Sequence, residues 1–156
     1  MSSDVSSVKS QVGSAQVVGK ARRVSERDYV RLLAVRTRLR RFERWSAERA
    51  ARHGLTASQH QLLLAIRGHD EPQGPSVGQI ADYLLIRHNS AVELIDRSER
   101  AGLIRRVRDA DDHRAIRLQL TAAAVKTLEA LSADHLQELR DLGVLLHSLL
   151  DEMASS

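Results

Sequence analysis

The chain has no cysteine, which excludes disulfide frameworks, thiolate zinc sites and cysteine redox switching. It has only two prolines, Pro72 and Pro75, and both fall with Gly68 and Gly74 in the stretch 68–75, which is therefore expected to be a loop. No apolar run approaches the roughly 18 to 20 residues that a membrane span needs. The N-terminus also lacks the charged start and apolar core of a secretion signal, so a cytoplasmic protein without a membrane partner is expected. No nucleophile elbow, phosphate-cradling glycine loop or Cys and His arrangement occurs. The seven histidines scatter without an i, i+4 pair on one face. Asp109, Asp111, Asp112 and His113 form an acidic cluster, but it lacks the twelve-residue calcium pattern with its closing Glu, and one His does not make a zinc site. We expect no enzyme, no cofactor and no metal.

What is present suffices for a folded domain. Hydrophobic residues make up 42% of the 156 and charged residues 28%, enough apolar content for a core and against wholesale disorder. The formal net charge of +4 is modest, but its distribution is uneven. Residues 20–52 hold twelve basic groups against four acidic ones, and residues 121–156 hold two against six. Ends of opposite sign are expected to pack together.

Residues 1–23 are rich in Ser, Val, Gly and Gln without a period and are expected to be a mobile tail. Ser25 followed by Glu26 and Asp28 signals a helix start. Leu32, Val35, Leu39, Phe42 and Trp45 then keep helical spacing up to Gly54. At about 1.5 Å per residue this helix is about 40 Å long, more than one small core requires. Thr56 to Gln59 and Ser76 to Gln79 are capping boxes that open two further helices. The first carries Leu62, Leu63, Ala65 and Ile66 as core candidates, and the second is expected to end near Tyr83. Thr121 caps a last helical region with an apolar stripe: Val125, Leu128, Leu131, Leu136, Leu139, Leu142, Leu146, Leu149 and Met153. Gly143 is expected to bend or divide it. Nothing in a single small domain covers this stripe, so a two-fold dimer is expected, in which the terminal helices of two chains interdigitate.

The stretch from Ile80 to Thr121 organises the rest. Ala91, Leu94, Ile95 and Ser98 share one side of a helix, and Asn89, Glu93, Asp96, Arg97 and Arg100 the other. Gly102 ends that helix. Leu103 to Val107 and Ile116 to Leu120 then read as two strands, with Arg108 to Arg114 as a tip too polar to be buried. The fold class expected is mainly α with a small β-hairpin wing (α+β), a winged helix-turn-helix with long N- and C-terminal dimerisation helices. Such a unit offers DNA a major-groove helix and a minor-groove arginine. Arg87, His88, Asn89 and Ser90 begin the helix where base edges and phosphates come within reach, and Glu93 and Arg97 follow on its polar face. The bland alternative is that Asn89 or Ser90 is the N-cap, with Glu93 as its reciprocal partner.

The run Gly102-Leu103-Ile104-x-Arg106, then Asp109-x-x-Asp112-x-Arg114, then Leu118-x-Leu120-Thr121 resembles the signature of the MarR (multiple-antibiotic-resistance regulator) family. The resemblance covers about residues 25–153. It implies that Arg114 is the minor-groove arginine, Asp112 the carboxylate that orients it and His113 their neighbour on the wing. Two positions depart from the family: Glu93 stands where many relatives carry a basic or neutral residue, and Ser98 where they carry a core Leu, which implies a slightly under-packed helix. The resemblance also implies a small aromatic or lipophilic effector bound where the dimer helices meet the winged domain. Trp45, Arg49 and His53 fall near that junction and fit a pocket, a core or a solvated face equally.

These readings divide the chain into a tail (1–23), an N-terminal dimerisation helix (24–54), a DNA-binding winged helix-turn-helix (55–120) and C-terminal dimerisation helices (121–156). The function expected is a homodimeric transcription regulator, a repressor, on a palindromic double-stranded DNA operator. A winged helix that grips another protein is the alternative.

Overall fold

The computed structural model describes residues 23–154, and the side chains of residues 23–152. The expected tail, apart from its last residue, and the side chain of Met153 lie outside the described residues. The elements in order are α1 (Glu26–Arg52), α2 (Ala57–Arg67), α3 (Val77–Leu84), α4 (His88–Arg100), β1 (Ile104–Arg108), β2 (Ile116–Leu120) and α5 (Ala122–Ala154).

The first three helices start where side chains can satisfy the orphan N–H groups of a first turn. Ser25 with Asp28, Thr56 with Gln59 and Ser76 with Gln79 each form a reciprocal capping box. Helix α5 begins on Thr121, whose Oγ1 accepts the Ala124 N–H at 3.2 Å. Helix α4 is the exception: its N-cap is Arg87 and no side chain caps it. The alternative in which Asn89 or Ser90 caps this helix with Glu93 is thereby corrected. The helix starts earlier, placing both residues inside the first turn and Glu93 too far along to reach back.

The core lies among α2, α3, α4 and the wing. Leu62 and Leu63 from α2, Ile80 from α3, Ala91 and Ile95 from α4 and Leu118 from β2 are sealed from solvent. The expected inner face of α4 is buried at all four positions, Ser98 included. Strands β1 and β2 pair antiparallel, with Ile104 opposite Leu120 and Arg106 opposite Leu118. Strand β1 begins one residue later than expected, because Leu103 turns its N–H to the Ser98 carbonyl (3.0 Å) in closing α4, and Gly102 takes a φ of +72° there.

One expectation about the ends changes. Helix α5 runs unbroken through Gly143, so it is one helix of about 50 Å. A helical glycine costs only about 1 kcal/mol, too little to break a helix held on both sides. Helices α1 and α5 pack together as their opposite charges suggest, with Arg49 Nη1 3.4 Å from Asp134 Oδ2. Within one chain, Leu32 and Leu39 of the α1 stripe and Leu136 and Leu139 of the α5 stripe remain exposed.

Ser98 is fully buried and its Oγ has no hydrogen-bond partner. A hydroxyl stranded in this way opposes folding. Ser98→Ala is expected to stabilise the chain by about 1 kcal/mol, since it removes the orphan group and improves helix propensity. The urea midpoint checks this, and a lower midpoint would show that the hydroxyl is satisfied.

Candidate nucleic-acid interface

Helix α3 hands over to α4 through Leu85, a non-glycine residue at φ +53°. Ile86 N–H closes the turn on the Ala81 carbonyl at 3.0 Å. Helix α4 then presents a surface on which Arg87, His88, Asn89, Ser90, Glu93 and Arg97 are all exposed. The first turn of α4 carries no acidic residue and no side-chain cap, so its outward N–H groups can meet an anion at the positive end of the helix dipole. Among the described residues no ion pair engages Arg87 or Arg97.

Helix α4 is tied to the wing by Arg106 of β1. Its guanidinium donates to the carboxylates of both Asp96 and Glu99, and Glu99 Oε1 also accepts the Arg106 backbone N–H at 3.1 Å. Two acidic residues on α4 are thereby neutralised. Sequence reasoning placed Asp96 on the exposed polar face and missed this link, although Arg106 belongs to the motif that carried the resemblance.

The wing tip differs from expectation in one respect. Asp111, Asp112, His113 and Arg114 are exposed, but Asp109, expected in a solvated loop, is 4% exposed. Its Oδ1 accepts the N–H groups of Asp111 (2.8 Å) and Asp112 (3.1 Å), and its Oδ2 accepts Nε of Arg117 at 2.6 Å. The N–H groups of Asp112 and Asp111, with Arg117 behind them, lower the Asp109 pKa to about 2. Asp109 therefore stays charged at any pH above about 4, and this contribution is lost only as the pH falls toward 2. Asp112 Oδ1 accepts the backbone N–H of Arg114 at 3.1 Å. Asp112 thus orients Arg114 through the main chain, leaving the guanidinium without a carboxylate. Among the described residues no group of His, Asp or Glu could hold a metal ion, and no helix is long and apolar enough to cross a membrane.

The residues expected at the helix junction separate. Trp45 packs on Phe42 and His135, with ring centroids 6.0 and 4.8 Å away. Arg49 lies 5.5 Å over the Trp45 ring, while His53 is an exposed residue at the end of α1. A cavity of about 490 Å³ does open at this junction, but Phe42, Ser46, His60, Gln61, Leu64 and His135 are among the residues lining it. His135 Nδ1 lies 2.8 Å from the Leu131 carbonyl and its Nε2 2.8 Å from Ser46 Oγ. The Leu131 carbonyl can only accept, so Nδ1 is the donor in that contact. The missed signal was periodicity, since His135 falls at helical spacing between Leu131 and Leu139.

His60 is 5% exposed and its ring stands 4.6 Å from that of His135. Burial, and then the neighbouring His135, lower its pKa. The folded chain keeps His60 neutral where an unfolded chain protonates it, so this contribution is complete above about pH 6.5 and declines below it. The thermal midpoint is expected to fall between about pH 7.5 and 5.5, and His60→Leu to flatten that fall. An equal slope in the variant would assign the effect elsewhere.

Helix, turn, helix and arginine-tipped hairpin define a winged helix-turn-helix. Residues 53–115, which hold this unit up to the wing tip, match the model of the MarR family. The HTH-type transcriptional regulator PecS of Dickeya dadantii (strain 3937) is 27% identical over 92 residues, covering 59% of this chain and 55% of PecS. The chain thus spans about half the length of that relative. Among solved structures, AbsC, a MarR family transcriptional regulator from Streptomyces coelicolor, superposes with a TM-score of 0.68 at 17% identity, over 86% of this chain and 93% of AbsC. The S. aureus MepR–DNA complex superposes with a TM-score of 0.60 at 20% identity, over 85% and 98%. At such identities these two structures speak for the fold alone.

Proposed function

We propose that the protein is a sequence-specific DNA-binding transcription regulator, a repressor that binds a pseudo-palindromic operator as a homodimer. The observation that carries this reading is the surface of α4: an uncapped first turn and unpaired Arg87 and Arg97, set beside a wing whose Arg114 has no acidic partner. PecS is a transcriptional regulator and MepR has been solved with DNA, which supports it. Helix α4 reads base edges with Arg87, His88, Asn89, Ser90, Glu93 and Arg97, and the wing reaches the minor groove with Arg114 beside Asp112 and His113.

Dimerisation through the segments 24–54 and 121–156 is supported by the uncovered apolar surface of their helices α1 and α5. Val30 and Leu33 on α1 and Val144 and Leu150 on α5 are among the large apolar side chains left in water, more than a solitary subunit usually tolerates. Two-fold protein symmetry implies half-sites about one helical turn apart. Release by a small apolar ligand is supported by the cavity between α1, α2 and α5.

The test is selection of duplexes from a random pool, followed by affinity measurements across salt and by sedimentation. We expect an inverted repeat, a dimer, and a loss of about a thousandfold in affinity between about 50 and 200 mM salt. No selected duplex, or a flat salt response, overturns DNA binding and leaves the protein-gripping winged helix.

A further inference from the structure

The tip of the wing is connected to the body of the domain by a continuous series of polar contacts that ends at Arg114. The series starts at Glu71, in the loop between α2 and α3, whose Oε2 lies 3.2 Å from Nη1 of Arg117 on β2. Arg117 Nε donates to the buried Asp109 at 2.6 Å. The other oxygen of Asp109 accepts the N–H groups of Asp111 and Asp112 and shapes the turn. Asp112 in turn accepts the Arg114 N–H with its side chain and the Ala115 N–H with its carbonyl, the latter at 2.9 Å. Backbone contact fastens the same two regions, since Leu118 N–H donates to the Pro75 carbonyl at 2.9 Å.

A buried carboxylate held by a guanidinium and by N–H groups is directional, and removing the guanidinium leaves the carboxylate under-compensated. The turn would then have to move to bring Asp109 to water. We propose that Arg117 is a positioning residue for DNA binding: by joining Asp109 to Glu71 it sets the pitch of the wing, and thereby the place where the Arg114 guanidinium meets the duplex. This rests on the DNA-binding reading above. Arg117 itself has a side chain only 19% exposed and makes no base contact in this scheme. Its effect is transmitted through Arg114, so the two residues act as one unit and their losses do not add.

The experiment compares the full-length chain with Arg117→Gln, Arg114→Ala and the double variant, on a duplex selected from a random pool by the unaltered chain. Hydroxyl-radical cleavage reads the minor groove, and guanine N7 methylation reads the major groove. Arg117→Gln is expected to lose wing protection in the minor groove, to keep the methylation protection from α4, and to bind about tenfold more weakly. In the Arg114→Ala background the same substitution is expected to change affinity less than twofold. A tenfold loss in that background also, or an unchanged minor-groove footprint, overturns the positioning role. If Arg117→Gln does not fold, Glu71→Gln removes only the outer, half-exposed link. A weakened wing footprint in that variant then supports the proposal, and an unchanged one overturns it. Failure of the unaltered chain to bind any duplex would instead strike at the function proposed above, so the two failures are distinguishable.

Discussion

Arg114→Ala is expected to weaken operator binding by about ten- to a hundredfold, or roughly 1.4 to 2.8 kcal/mol, while leaving the sedimentation behaviour and the thermal midpoint unchanged. The side chain stands exposed at the tip of a hairpin, with its main-chain N–H held by Asp112 and its guanidinium without a carboxylate. Removing it disturbs nothing in the core, so little folding energy is at stake. What is lost, on the function proposed above, is a cation for a narrow minor groove, where the negative potential of DNA is enhanced. Competition binding at about 150 mM salt measures the effect, with the dependence on salt recorded alongside. Full affinity in the variant would remove Arg114 from the interface. An equal loss on unrelated duplexes would reduce it to a general phosphate contact.

Gly74→Ala is expected to have the largest effect on stability, a loss of about 3 kcal/mol or more. Gly74 has a φ of +90°, and a Cβ built on it would lie 2.0 Å from the Leu118 carbonyl oxygen. The obstacle is backbone, so no side chain can swing away to relieve it. Relief requires parting the 68–75 loop from β2, which breaks the Leu118 to Pro75 hydrogen bond and pulls the fully buried Leu118 out of the core. Gly102→Ala is the matched control: φ is +72°, but nothing lies within 4 Å of the added carbon. Its cost is expected to be the backbone strain alone, about 1 to 2 kcal/mol. Urea unfolding of both variants measures the difference, and equal midpoints would show that the close approach of Gly74 to β2 is not rigid.

Much of this fold is legible in the chain because its signals are local. Three capping boxes and the Thr121 cap locate four helix starts, and the alternation from Ile116 to Leu120 marks the second strand. The inner face of α4 follows from spacing alone. What escaped was decided by partners remote in sequence. Asp109 looks like a solvated loop charge until Arg117, eight residues on, is seen beside it. His60 and His135 are unremarkable singly and become a pair only when α2 meets α5. Gly143 misled for the opposite reason: its intrinsic preference is weak, and the packing of α5 overrides it. For α4, residues with good capping chemistry, Asn89 and Ser90, sit one and two places inside a helix that begins without their help.

The chain carries a single indole, Trp45, and it rests against the His135 ring. Indole emission from the chain therefore originates at one spot, where α1 and α5 adjoin. A guest bound in the cavity against the His135 ring alters the surroundings of that indole. The protein thus comes with its own optical gauge of the packing between α1 and α5, and needs no attached dye.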